Sequence, residues 1–332
     1  MSYMRIESPT TAPPIDTPPD AAALDTAAET SPGKAATEPD KMQLLQRIAT
    51  LVIILVPFVG LIVAMALVWG RGFDWVNLGL LIGMYLFTGL GVTIGFHRLF
   101  THRSFATSRA VTATLGVMGS MAVEGPLFHW VAFHRSHHQH SDKEHDPHSP
   151  HTFGGGLWNM TRGLWRSHAG WLFKKYPSDL ERYVGDLKAD RLLRVVSGLF
   201  PLWVLLGLVI PTALGGLITL SWSGALLGLL WGGLVRIFFV HHVTWSINSV
   251  CHIWGSRPFD TRDQSRNNVF FGVFGFGEGW HNNHHAFPNS ARHGLRWFQI
   301  DTSYLIIWCM SKLGLAWKVN VPTSQRIAAK LR

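Results

Sequence analysis

The sequence predicts an all-α integral membrane protein, with four transmembrane helices and a cytoplasmic helical cap that holds a histidine-rich dinuclear metal site. Three observations carry that expectation. Four apolar runs are long enough to cross a bilayer, basic residues crowd to one side of them, and the pattern His-x-x-His-His occurs on that side as HRSHH and again as HNNHH.

The spans are expected at about residues 46–69, 76–96, 195–220 and 223–243. Leu51–Trp69 runs for nineteen residues without a charge, and Val76–Phe96 is similar. A helix rises about 1.5 Å per residue, so each can traverse a hydrocarbon core of about 30 Å. The fourth run carries Arg236, a charge that weakens it as a span. A single such run could equally be a buried core helix, but four of them in a chain with 47% hydrophobic residues argue for a membrane. Residues 1–40, rich in Pro, Ala, Thr and acid, offer little to bury and read as a disordered tail. Residues 41–320 form the membrane domain, and 321–332 a C-terminal tail. Cys251 and Cys309 make neither a metal spacing nor a disulfide framework.

Four spans return the chain to its starting side. Both termini, the segment His97–Arg194 and everything after about Val243 then share one face. The opposite connections, around Gly70–Trp75 and Gly215–Ser223, hold Arg71 as their one basic residue. Excess Lys and Arg marks the cytoplasmic side, so the termini and the metal site are expected there. The net charge of +9 suits anionic membrane lipid or an acidic protein partner; no nucleic acid is expected.

The histidine spacing gives the chemistry. On a helix, positions i, i+3 and i+4 share a face, so His134, His137 and His138 can converge, as can His281, His284 and His285. HRLFTH adds His97 and His102 where the second span ends. Their separation of five is off-face on an α-helix, which sends them to different ions or to either side of a helix end. His252 follows the fourth span, and Asn248 lies one turn before it, where its amide can hold a metal-bound water. Nine imidazoles exceed the roughly four ligands that one zinc takes, and the number favours two ions. Imidazole alone does not name the metal. Asp142, Glu144, Asp146 and Glu278 are candidates to orient the rings. The remaining histidines, His129, His140, His145, His148, His151, His168, His241, His242 and His293, read mostly as surface or capping residues.

These boxes, with SHAGWLFKKYP, VGDLKADRL, TWSINSVCHIWGSRPFD, QSRNN and GEGWHNNHHAFP in the same order, resemble the membrane fatty-acyl desaturases. Within that family the chain is most similar to stearoyl-type delta-9 acyl-CoA desaturases, over roughly Leu44–Val319. The resemblance implies two Fe2+ ions held by His97, His102, His134, His137, His138, His252, His281, His284 and His285, with Asn248 acting through water. O2 would be the co-substrate. It also implies a kinked acyl tunnel lined near its bend by Trp130, Thr244 and Trp245. Lys174 and Lys175 are plausible contacts for an anionic carrier. One departure matters: AVEGPLFHWVAFHRSHH, before and through the second box, is almost wholly apolar apart from Glu124. That is more like the bacterial branch and leaves the substrate as long-chain acyl-CoA or a lipid-linked acyl chain.

An unactivated methylene C–H bond lies beyond acid–base groups, so the metal and O2 carry the hard chemistry. The chain shows no nucleotide-binding glycine fingerprint, iron–sulfur cysteine set or haem segment. Electrons are therefore expected from outside, from a ferredoxin- or cytochrome b5-type protein with a reductase. Two other readings compete. A membrane di-iron hydroxylase of alkanes or sterols would share the boxes, although TWSINSVCH and GEGWHNNHHAFP favour the desaturase. A metal transporter would place ligands near the bilayer midplane, whereas the first three spans hold no His, Cys, Asp or Glu.

Overall fold

The computed structural model describes residues 40–68, 73–173 and 180–332. The expected tail over residues 1–39, Arg71, and Lys174 and Lys175 lie outside the described residues. Helix α1 (Asp40–Val68) is followed by α2 (Trp75–Leu90), which Asp74 caps by accepting from the Asn77 N–H at 2.8 Å. Helix α2 continues without a break into a π-helical stretch, Gly91–Thr101. Then come α3 (Arg109–Ser120), α4 (Leu127–His140), α5 (Leu157–His168), the single turn α6 (Gly185–Lys188) and α7 (Arg191–Gly198). The second half holds α8 (Phe200–Thr219), α9 (Trp222–Gly228), a second π-helical stretch (Leu229–Val235) and α10 (Arg236–Ser249). Short helices α11 (Val269–Phe274) and α12 (His281–Ala286) precede α13 (Thr302–Lys312) and α14 (Ser324–Lys330). One small antiparallel pair, β1 (Ala106–Thr107) with β2 (Ala316–Trp317), ties the end of the first box to the C-terminal region.

Among the described residues, four helical segments are long and apolar enough to cross a membrane: Leu44–Val68, Trp75–Thr101, Phe200–Thr219 and Trp222–His252. Their outward side chains, such as Val52, Leu55, Leu205 and Leu217, are exposed on the isolated chain. That is the surface a bilayer covers. The third span differs from the sequence expectation. Val195–Gly198 belongs to the amphipathic α7, which Asp190 caps and which buries Leu193 and Val196. The spanning helix starts only at Phe200, with Pro201 in its first turn, where the missing N–H is no loss. The fourth span is longer than expected, because α10 carries on past Val243 to the metal site.

The spans meet through backbone. Gly224, Gly228 and Gly232 recur every fourth residue, and a Cβ on Gly228 would lie 2.2 Å from the Pro211 carbonyl oxygen of α8. This small-residue face lets helices without a hydrophobic driving force in lipid still touch closely. Arg236 is fully buried there and donates to the carbonyls of Gly232 (3.1 Å), Met121 (2.7 Å) and Gly207 (2.8 Å). The charge that weakened the fourth run is thus satisfied by three carbonyls of three segments. The C-terminal residues are also more than a tail: Lys330 donates to the Ala286 carbonyl at 2.7 Å, and Ile327 packs against Phe259, Ala286 and Phe287.

Candidate metal centre

The nine histidines of the boxes come together as two adjoining groups. His97, His102, His134, His138 and His284 form one, and His137, His252, His281 and His285 the other; within each group the ligand atoms all lie within 4.8 Å of one another. Each helical box is divided between them. On α4, His134 and His138 (i, i+4) face one group while His137 turns to the other; on α12, His281 and His285 (i, i+4) pair while His284 crosses over. The expectation that a triad points into one volume fails, because positions i+3 and i+4 diverge by about 100° around an α-helix of about 3.6 residues per turn.

His97 and His102 join the same group, which excludes separate ions and agrees with the other expected arrangement: they stand on either side of a helix end, with His102 as the cap. The cause is the π-helical stretch: its i→i+5 pattern, seen where the His102 N–H donates to the His97 carbonyl at 3.1 Å, brings residues five apart onto one face. The stretch is held against α3 at Gly91, where an added Cβ would lie 2.2 Å from the Gly119 nitrogen.

The ring nitrogens are arranged for ligation. Nε2 of His284 lies 3.1 Å from Nε2 of His97 and 2.9 Å from that of His138, and Nε2 of His252 lies 3.0 Å from Nε2 of His281. Nε2 of His102, His137 and His285 is buried with no partner among the described residues. Burial, followed by the neighbouring rings, holds His102, His134, His138, His281 and His284 well below the ordinary histidine range, so their lone pairs are free at neutral pH. In His137 burial also lowers the value, but the Asp146 carboxylate outweighs it and leaves the ring raised.

Carboxylates orient the rings from behind. Nδ1–H donates to Asp142 from His252 (2.8 Å), to Asp146 from His137 (3.0 Å), to Asp263 from His285 (2.6 Å) and to Glu278 from His97 (2.6 Å). Burial pushes these acids up, yet the facing rings, with Arg98 at Glu278, hold all four below the usual carboxylate range. A ligating imidazole with its second nitrogen bound to a carboxylate is the usual metal-site pattern. Nine inward nitrogens with no thiolate fit a borderline transition metal such as iron.

An open cavity runs beneath both groups. His97, His134 and His281 form part of its wall, and Val92, Phe133, Val240, Val243 and Ile247 make it largely apolar. Trp130, Thr244, Trp245 and Asn248 all line it. Trp130 stacks on His134, with ring centroids 5.1 Å apart.

Residues 73–308 match the family described as fatty acid desaturase. The chain belongs to that family. It is 45% identical to a hex-5-enoyl-[acyl-carrier protein] acetylenase of Moorena producens, over 83% of this chain and 86% of the relative. It is 37% identical to an sn-1 stearoyl-lipid 9-desaturase of Synechocystis (78% and 76%), and 39% identical to an icosanoyl-CoA 5-desaturase of Limnanthes douglasii (73% and 65%).

Within this desaturase, several sequence expectations need correction. Glu144 is exposed and holds no ring. Asp263, absent from the expected acids, takes its place behind His285. His148, His241 and His293 are buried rather than on the surface. His168 and His242 form a half-buried pair at 2.9 Å, while His145 and His151 are exposed as expected. His293 matters most: its Nδ1 lies 3.0 Å from Arg98 Nη2 and 3.4 Å from Glu278 Oε2, and its ring lies 4.5 Å from that of His284. Arg98 was also missed, although a charge following His97 in an apolar run was a signal. Fully buried, it pairs with Glu278 and with Asp301 (3.1 Å). Asp263 sits in an irregular loop, where no spacing marks it.

Proposed function

We propose that this desaturase introduces a cis double bond, at delta-9, into a saturated long-chain acyl group, using O2, two iron ions and electrons from an external carrier. The observation that carries the reading is the division of nine histidines into groups of five and four on the wall of an apolar cavity. Iron bound there would supply the O2 activation needed to remove hydrogen from an unactivated methylene. The chain's own residues do the positioning. Trp130, Thr244 and Trp245 hold the hydrocarbon beneath the rings, the cavity's bend selects the cis geometry, and Asn248 on the same helix presents its amide for a metal-bound water. The four ionised carboxylates fix ring orientation. The basic face, placed on the cytoplasmic side with both termini, suits an acidic electron carrier of the ferredoxin or cytochrome b5 type.

The carrier of the acyl group is acyl-CoA or a lipid. Support for a lipid comes from the apolar stretch before the second box and from the stearoyl-lipid relative's name; the icosanoyl-CoA relative supports CoA. A hydroxylase of alkanes or sterols is the second reading, since the same metal centre serves it. Expression in a host lacking its own desaturase, with analysis of the lipid and thioester pools, decides among these. A delta-9 cis alkene is expected; an alcohol as the main product would move the chain to the hydroxylase reading. Metal analysis of active protein from iron-replete cells should give two irons per chain, and one would remove the dinuclear assignment.

A further inference from the structure

The cavity holds one acid that the ring-orienting carboxylates do not explain. Glu124 sits in the turn 121–125, which α10 builds almost carbonyl by carbonyl. Arg236 donates to the Met121 carbonyl at 2.7 Å, and His241 Nε2 lies 3.2 Å from the Ala122 carbonyl and 3.0 Å from that of Val123. Val123, a β-branched residue, is held at φ +65°, and Gly125 follows at φ +103°. A backbone so constrained is found where it aims a side chain. Here it aims the Glu124 carboxyl into the cavity wall between Trp130 and Thr244. Oε2 accepts from Trp130 Nε1 at 3.2 Å and the Thr244 hydroxyl bonds the same carboxyl, while Oε1 is buried with no partner among the described residues.

The charged and titratable groups around it do not compensate a negative charge. Arg236 is engaged by three carbonyls, His241 faces the turn's backbone, and Tyr85 of α2 donates to the Phe274 carbonyl at 2.7 Å. His97, from the π-helical stretch, has its Nδ1 on Glu278. Among the described residues no cation forms an ion pair with Glu124. This is the opposite of Asp142, Asp146, Asp263 and Glu278, each of which meets an imidazole or Arg98. Burial accordingly pushes the Glu124 carboxyl up to about 8, against the pull of its Thr244 and Trp130 hydrogen bonds.

We propose that Glu124 determines what this cavity accepts, admitting a hydrocarbon chain only as the neutral acid, so that chain binding is coupled to protonation. The inference rests on the reading that the cavity holds an acyl chain. A chain that fills the cavity removes the last water from the carboxyl and so favours its neutral form further. The sign follows: a group protonated more strongly in the bound state supports binding below its free value and loses that support above it. Affinity should be level up to about pH 8 and then fall about tenfold per pH unit.

The test is anaerobic binding of tritiated methyl stearate, an ester with no titratable group, to the purified full-length protein between pH 7 and 9.5. The wild type should weaken above about pH 8, and Glu124→Gln, which cannot ionise, should show no slope whatever its absolute affinity. Saturable wild-type binding without a slope, or the same slope in Glu124→Gln, overturns the role of Glu124 alone. No saturable binding at any pH in either protein overturns the acyl-cavity reading and this inference with it. Infrared difference spectra give a readout that survives a variant too unstable to purify. The wild type should show a carboxylic-acid carbonyl band at pH 7 that disappears above about pH 8. Absence of that band at pH 7 overturns the proposal.

Discussion

The two histidine groups draw on the same boxes, yet what stands behind them differs. In the group of four, His137, His252 and His285 each donate Nδ1–H to a carboxylate of their own, Asp146, Asp142 and Asp263. In the group of five, among the described residues, His97 alone has such an acid, and that acid, Glu278, is shared with Arg98 and approached by His293. One group would compensate a bound dication with nearby negative charge; the other would rely on ligand number. The difference teaches that a ligand count does not describe a metal site, because a carboxylate behind an imidazole raises its basicity and fixes its ring. Metal in the group of four is therefore expected to be held more firmly. Graded chelation should remove metal in two steps, and a single step would show the groups to be equivalent.

The largest expected effect comes from breaking either group outright. His284→Ala removes a ligand from the group of five and His285→Ala one from the group of four. Both should abolish desaturation while the chain stays in the membrane, since the spans are joined by backbone contact and Arg236 rather than by metal. Metal content should fall toward one per chain in each. Full activity in either variant would remove that residue from the centre.

Next come the acids. Asp146→Asn and Asp142→Asn keep the shape of the site but leave a neutral oxygen behind His137 and His252; outer partners of this kind are worth about 10–100-fold in metal affinity. Glu144→Gln, on the exposed side of the same loop, should leave metal content unchanged. Equal losses in all three would mean that the loop, not the Nδ1 contact, is what matters.

The boundary between what the sequence made legible and what it did not runs along this comparison. The candidate ligands stood out through spacing: the membrane runs, HRSHH and HNNHH are one-dimensional patterns, and they carried the resemblance to the desaturase family. The sorting of ligands was hidden, because His97 and His102 share a group only through a π-helical stretch that no residue type marks. The supporting shell was half hidden for a different reason. Asp146 sits beside the box it serves, whereas Asp142 and Asp263 meet His252 and His285, and His293 meets Arg98 and Glu278, from positions that no spacing marks. Arg236 lowered the fourth run as a span, yet it is a structural pin whose carbonyl partners are distant in sequence.

His293→Ala tests the weaker side of the comparison. The sequence alone placed His293 outside the centre, among surface or capping residues, where its loss would cost little. Its buried position against Arg98, Glu278 and the His284 ring changes that expectation to a partial loss. Removing it leaves part of Arg98 without its partner and loosens the one acid behind the group of five. Activity should fall several-fold, with metal lost first from that group; unchanged activity and metal content would return His293 to a purely structural place.

The smallest expected effect on the metal, and the most specific on the product, is Trp245→Ala. Trp245 is buried, stacks on His241 with centroids 4.9 Å apart, and lines the cavity just before Asn248. It touches neither histidine group through hydrogen bonds, so both should keep their metal. Truncating a buried Trp typically costs about 3–5 kcal/mol of packing, and here the space opens into the cavity wall. A chain less firmly held can slide by a methylene or two, since its carbons are alike and the wall sets its register. The expected outcome is lower activity with double bonds at mixed positions, read by mass spectrometry of derivatised products. A single unchanged position at full activity would show that the register is set elsewhere along the cavity, with Thr244 and Trp130 the next residues to truncate.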